Sequence, residues 1–121
     1  MKRPHSLIDS FTDAFIGMST ALKEERNMRI HFAFAASVII MALWLGMERW
    51  ELAVLMLVIC AVISLELVNS AIERAVDLAE PNENSLAALA KRLAASAVLV
   101  VAVVAVVIGL IIFVPYLRVR R

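Results

Sequence analysis

From Leu93 to Val114 the chain reads LAASAVLVVAVVAVVIGLIIFV, 22 residues without a charge. About 20 apolar residues are what a helix needs to cross the hydrocarbon of a bilayer. A water-soluble domain of 121 residues does not carry so many Val, Ile, Leu and Ala; with 63% hydrophobic residues this is a membrane protein. Two further stretches fit the same reading. One is Met28 to Gly46, and the other runs from Leu52 to about Leu65 and continues as helix through Asp77. Backbone groups in lipid must be satisfied within their own segment, so all three are helices. Only MERW, residues 47–50, separates the first two, with Trp44 and Trp50 suited to an interface. The expected spans are about 28–47, 51–77 and 86–116, the first pair a tight hairpin, within a single membrane-embedded domain over 1–121.

The N-terminal stretch, about 5–26, differs. Leu7, Ile8, Phe11, Phe15, Met18 and Leu22 recur at helical spacing, with Asp9, Asp13, Ser19 and Lys23 elsewhere on the wheel, as in an amphipathic helix lying on the membrane. A cleaved signal peptide would explain Lys2 and Arg3, but Asp9 and Asp13 interrupt any apolar core it would need. With the N terminus in the cytoplasm, Lys2, Arg3, Lys23, Arg26, Arg29, Arg74, Lys91 and Arg92 lie inside. Arg49, Arg118, Arg120 and Arg121 lie outside, and eight against four favours this orientation although the RVRR tail dissents. The net charge of +1 gives no sign of a nucleic-acid partner. Cys60, alone in an apolar run, reads as a small buried packing residue, and one cysteine allows no disulfide within the chain.

Against this background SLELVNSAIERAVDLAE, residues 64–80, is anomalous. Glu66, Asn69, Ser70, Glu73 and Asp77 are offset by 0, 3, 4, 7 and 11 residues, which at about 100° per residue places them on one stripe of a helix. Glu66 falls near the cytoplasmic end of the hydrocarbon, and Glu73 about 10 Å further along the axis, in headgroup or water. A helix end emerging into water accounts for Arg74, Asp77 and Glu80 without any function. It accounts poorly for Glu66, because ionisable groups within spans are costly and face a bundle interior or a cavity.

A second acidic pair, Glu24 and Glu25 in KEERNMRIH, precedes the first span on the same side as Glu73. Carboxylates with oxygen ligands suit Mg²⁺ with a bound polyphosphate better than zinc, since His31 is the only imidazole nearby and no cysteine accompanies it. His31 by itself reads as an interfacial residue. Only Gly17, Gly46 and Gly109 are present, too few for a P-loop or a kinase-type glycine loop, so a nucleotide must be held another way.

Taken together, ELVNSAIERAVDL, EERNMRIH with Gly17 eight residues ahead of Glu25, and Ala90–Lys91 before LAASAVLV resemble the bacterial integral-membrane diacylglycerol kinase family over nearly the whole chain. EERN with Arg29 and His31, and the late GLIIFVP, look closer to its undecaprenol kinase branch. The resemblance implies an all-α homotrimer of three-span subunits, each with a surface helix, with composite sites at the cytoplasmic membrane surface. It implies ATP-dependent phosphorylation of a lipid alcohol, with Glu66 as catalytic base and Mg²⁺ held with ATP by Glu25 and Glu73. Asn69, Asp77 and Lys91 match positions that line the site. A partly desolvated Glu66 could take the proton of a lipid hydroxyl, while the metal and Lys91 neutralise the triphosphate.

Two positions depart from the family pattern. Arg92 stands where an Asp usually follows the site Lys, and Asn82–Asn84 (NEN) stands where the preceding loop usually has Glu-x-His. Arg92 is expected to join Lys91 on the polyphosphate. Two other readings stay open: a non-catalytic homologue, and a small proton-coupled transport or assembly subunit using Glu66 as relay. The relay needs one essential carboxylate, whereas the kinase needs at least three.

Overall fold

The computed structural model describes residues 6–119, which form four helices: α1 Leu7–Glu24, α2 Arg26–Leu45, α3 Arg49–Ala79 and α4 Ser85–Val119. Lys2, Arg3, Arg120 and Arg121, counted in the charge balance above, lie outside the described residues, as does the expected start of the surface helix at residue 5. Three of the helices, α2, α3 and α4, are long and apolar enough to cross a membrane, and this is a multi-pass membrane protein. At 1.5 Å per residue the 20 residues of α2 span about 30 Å, the 31 of α3 about 46 Å and the 35 of α4 about 52 Å. The last two therefore outrun a hydrocarbon layer of about 30 Å by several turns.

Each helix end has a local cause. At the start of α1, Ser6 and Asp9 form a reciprocal capping box, the Ser6 side chain accepting from the Asp9 amide at 3.1 Å and the Asp9 carboxylate accepting from the Ser6 amide at 3.0 Å. Helix α2 ends at Gly46, whose φ of 68° is left-handed backbone that a side chain disfavours. There the Gly46 amide bonds the Leu43 carbonyl at 3.1 Å and the Met47 amide reaches Ala42 at 3.2 Å, a Schellman closure. Glu48 and Glu51 cap α3 in the same reciprocal way. Asn84 starts α4 by accepting from the amides of Leu86 (2.8 Å) and Ala87 (3.3 Å). The second Asn of the NEN segment is thus a helix cap.

Between α1 and α2 only Glu25 leaves helical geometry, at φ −108° and ψ 118°. Nothing in the composition of the KEERN corner marks a break, since it contains neither Gly nor Pro. Side chains hold it instead: the Arg29 guanidinium donates to the carbonyls of Lys23 at 2.8 Å and Leu22 at 3.3 Å, taking up orphan acceptors at the end of α1.

The chain packs chiefly by laying α3 along α4, with α2 against α3. Ala42, Met47, Leu55 and Ile112 form the buried cluster, at the end where α2 turns into α3. Most other apolar side chains face outward, as lipid or neighbouring protein requires. Leu7, Ile8, Phe11 and Phe15 leave the apolar side of α1 uncovered. Cys60 corrects the expectation of a buried packing residue, for it lies exposed on α3. An apolar run gives no sign of which of its faces meets protein, and Cys60 is on the outward one.

Candidate active site

Glu66 lies 17 residues beyond the start of α3 and Glu73 lies 24, which puts them about 26 and 36 Å along the axis. A hydrocarbon slab of about 30 Å beginning at the first turn of α3 therefore ends between them. The stripe of polar residues inferred from their spacing is real in space. Glu25, Glu66, Asn69, Ser70, Glu73 and Asp77 line one cleft of about 340 Å³, together with Arg26, Asn27 and Arg74.

The cleft grades from closed to open. Glu66 retains 3% of its surface, Ser70 6% and Asn69 8%, while Glu73 and Asp77, one and two turns on, are exposed. The Glu66 carboxylate takes up no hydrogen bond from the described residues, so its lone pairs are available to a proton brought from the cleft. Asn69 donates through Nδ2 to Glu73 Oε1 at 3.4 Å, whereas its buried Oδ1 has no partner among the described residues. A buried amide oxygen left without a donor is costly unless a ligand or water completes it.

The α1–α2 corner brings Glu25 to the cleft, 45 residues away in sequence from the hydroxyl that fixes it. Ser70 Oγ donates to Glu25 Oε2, and the Arg74 guanidinium donates to Glu25 Oε1 at 2.9 Å and to Glu24 Oε2 at 3.0 Å. Lys91 pairs with Asp77, tying the start of α4 to the end of α3 at the rim of the cleft. Arg92 is on the exposed surface beside it and does not line the cleft.

Spacing alone puts Ser70 on the stripe without a partner and leaves Arg74 as a solvated helix end, whereas both bond Glu25. The spacing of Ser70 and Arg74, four residues apart, held the missing signal, since i and i+4 share a face.

For a metal, the donor set matters. Among the described residues no group of three His, Cys, Asp or Glu side chains stands close enough to cage an ion. Mg²⁺ asks less of the protein, since one or two carboxylates suffice when substrate phosphates and waters complete the shell. Glu73 and the unsatisfied Asn69 Oδ1 from α3, and Glu25 from the α1–α2 corner once its present donors move aside, offer oxygens of that kind in one cleft. They fit Mg²⁺ delivered with a polyphosphate.

The profile of the prokaryotic diacylglycerol kinase family matches residues 12–113. The chain belongs to that family. It is similar to an undecaprenol kinase from Bacillus subtilis, 41% identical over 108 residues that cover 89% of this chain and 88% of that protein. A diacylglycerol kinase from Synechocystis sp. is 43% identical over 105 residues, covering 86% of this chain but only 60% of that longer protein. By membership the chain is a lipid kinase, and the resemblance drawn from the ELVNSAIERAVDL core holds. Membership also weighs against the transport reading, which required a single working carboxylate, whereas the cleft gathers four: Glu25, Glu66, Glu73 and Asp77.

Proposed function

We propose that the chain transfers the γ-phosphoryl group of ATP to the hydroxyl of a membrane lipid alcohol, of the undecaprenol or diacylglycerol kind, with its N terminus and its cleft on the cytoplasmic side. The observation that carries this reading is the position of Glu66. It is nearly buried in a cleft whose later residues along α3, Glu73 and Asp77, are exposed and polar. A lipid hydroxyl arrives from the bilayer and a nucleotide from water, and this cleft joins the two.

In this reading Glu66 accepts the proton of the lipid hydroxyl as its oxygen attacks phosphorus. Asn69, fixed against Glu73, orients the attacking group or a ligand through its unsatisfied Oδ1. Glu25 and Glu73 would hold Mg²⁺ with ATP, and the ion, when bound, would neutralise charge gathering on the transferring phosphoryl group. Lys91, with Asp77 holding its ammonium at the rim, and Arg92 beside it supply cations for the polyphosphate. The low exposure of Glu66 leaves it reachable chiefly through the cleft. A homotrimer completes the enclosure, since a single chain leaves long apolar faces on α3 and α4 uncovered.

The test is transfer of labelled phosphate from ATP to a panel of lipid alcohols in mixed micelles containing the full chain. A phosphorylated undecaprenol or diacylglycerol is the expected product, and the panel tells the two apart. Absence of any labelled lipid from a folded, metal-supplied sample would overturn the proposal and leave the non-catalytic reading.

A further inference from the structure

Arg74 has no part in the chemistry just described, yet it grips the carboxylate on which that chemistry depends. Its two terminal nitrogens divide between Glu25 at 2.9 Å and Glu24 at 3.0 Å, and Ser70 occupies the other oxygen of Glu25. Both Glu25 oxygens are therefore engaged in the ligand-free chain. A divalent cation approaching Glu25 seeks the lone pairs that the guanidinium holds. Arg74 cannot yield by losing its proton, since a guanidinium stays charged at any working pH. It can only move.

Its surroundings allow that movement. The Arg74 side chain is 51% exposed, so little packing holds it in place. It also lines the same cleft as Asn69 and Glu73. Once released from Glu25 it remains a cation at the mouth of a cleft that receives a triphosphate, and its planar fork matches phosphate oxygens.

We propose that Arg74 is a resident counter-ion exchanged between Glu25 and the polyphosphate: it occupies Glu25 until metal and nucleotide enter together, and then transfers its contacts to the nucleotide. This rests on the reading of Glu25 as a metal ligand. The exchange makes the metal-nucleotide pair the preferred entrant. Bare metal must displace the cation without giving it a new partner, whereas the complex provides one.

The experiment uses the full chain in detergent micelles without lipid alcohol, and measures two affinities. The first is for bare Mn²⁺ by electron paramagnetic resonance; the second is for the complex of Mn²⁺ with β,γ-methylene-ATP. Arg74→Gln is expected to tighten bare Mn²⁺ by about fivefold, the scale of one water-screened charge contact, and to weaken the complex by about as much. Arg74→Lys, which keeps the charge but not the fork, should move both in the same directions by less, and serves if the Gln variant does not fold. The tightening should shrink at high salt.

A merely structural role for Arg74 would move both affinities the same way. If Glu25→Gln weakens bare Mn²⁺ while the Arg74 variants leave it unchanged or weaken it, the exchange is overturned and Glu25 stands as a ligand. If Glu25→Gln leaves Mn²⁺ binding unaltered, the metal reading itself fails, and the exchange with it.

Discussion

The two ends of α3 both carry carboxylates beside a membrane-spanning stretch, and they are treated in opposite ways. At the hairpin end Glu48 accepts from Trp50 Nε1 at 2.6 Å, while Glu51 accepts from the Glu48 amide at 3.0 Å and from the Tyr116 hydroxyl. The acids there cap the helix, anchor an interfacial ring and fasten α3 to α4. At the cleft end Glu66 is more deeply buried yet accepts nothing from the described residues, and Asn69 Oδ1 beside it is unsatisfied. A carboxylate can be tolerated at a membrane boundary by giving its lone pairs work within the fold. One that is nearly buried and left without a partner costs stability, which is the kind of cost that functional sites carry.

The contrast can be broken by exchanging what each end is asked to do. Glu66→Gln should reduce kcat by about 10²–10⁴, the usual contribution of a positioned general base, while the thermal midpoint stays level or rises because a nearly buried acid is replaced by a neutral amide of the same shape. A variant that unfolds while its remaining folded fraction turns over normally would make Glu66 structural. Glu25→Ala and Glu73→Ala should come next, raising the Mg²⁺ needed for half-maximal activity about tenfold or abolishing activity. Unchanged titrations in both would remove the metal from this cleft. Arg92→Ala should raise the KM for ATP about tenfold if Arg92 joins Lys91 on the polyphosphate. A gain in turnover for Arg92→Asp over the wild type would instead mark Arg92 as a defect.

At the other end the expected effects are on stability alone. Tyr116→Phe removes the only described link from α4 to Glu51 and should lower the thermal midpoint by a few degrees, with turnover per folded molecule unchanged. Loss of turnover without loss of stability would show that the two ends communicate. The smallest effect concerns the cap of α1, where the hydrogen bonds from the Ser6 amide and hydroxyl hold Asp9 below its ordinary carboxylate range. A depressed acid stabilises at pH above its unfolded value, and that contribution is lost as pH falls through the folded value. Amide protection in the first turn of α1, taken relative to the intrinsic exchange rate, should therefore fall on acidification below about pH 4, and Asp9→Asn should abolish the dependence.

The sequence made these two ends unequally legible. The spans could be read because a bilayer demands length and apolarity, both of which are local properties. The Glu66 stripe could be read because helical periodicity places residues 3, 4, 7 and 11 apart on one face. The corner at Glu25 was hidden, for no Gly or Pro marks it and the contacts that hold it come from Ser70 and Arg74 far along the chain. The Tyr116–Glu51 bond was hidden for the same reason, as it joins helix ends 65 residues apart. Cys60 was misplaced because apolar sequence looks alike on both sides of a membrane helix. NEN looked like a departure on the nucleotide side, and its last Asn proves to cap α4, a role that a turn residue ahead of an apolar run foreshadows.

In the proposed reaction Glu66 performs chemistry while its neighbours bind, and one paired measurement separates the two roles most directly. Wild type and Glu66→Gln are compared on the same samples for single-turnover transfer of labelled phosphate from ATP to lipid alcohol, and for Mn²⁺ affinity. Loss of transfer by about two orders of magnitude or more with metal affinity unchanged is the result predicted. Transfer at the wild-type rate by Glu66→Gln would contradict the account.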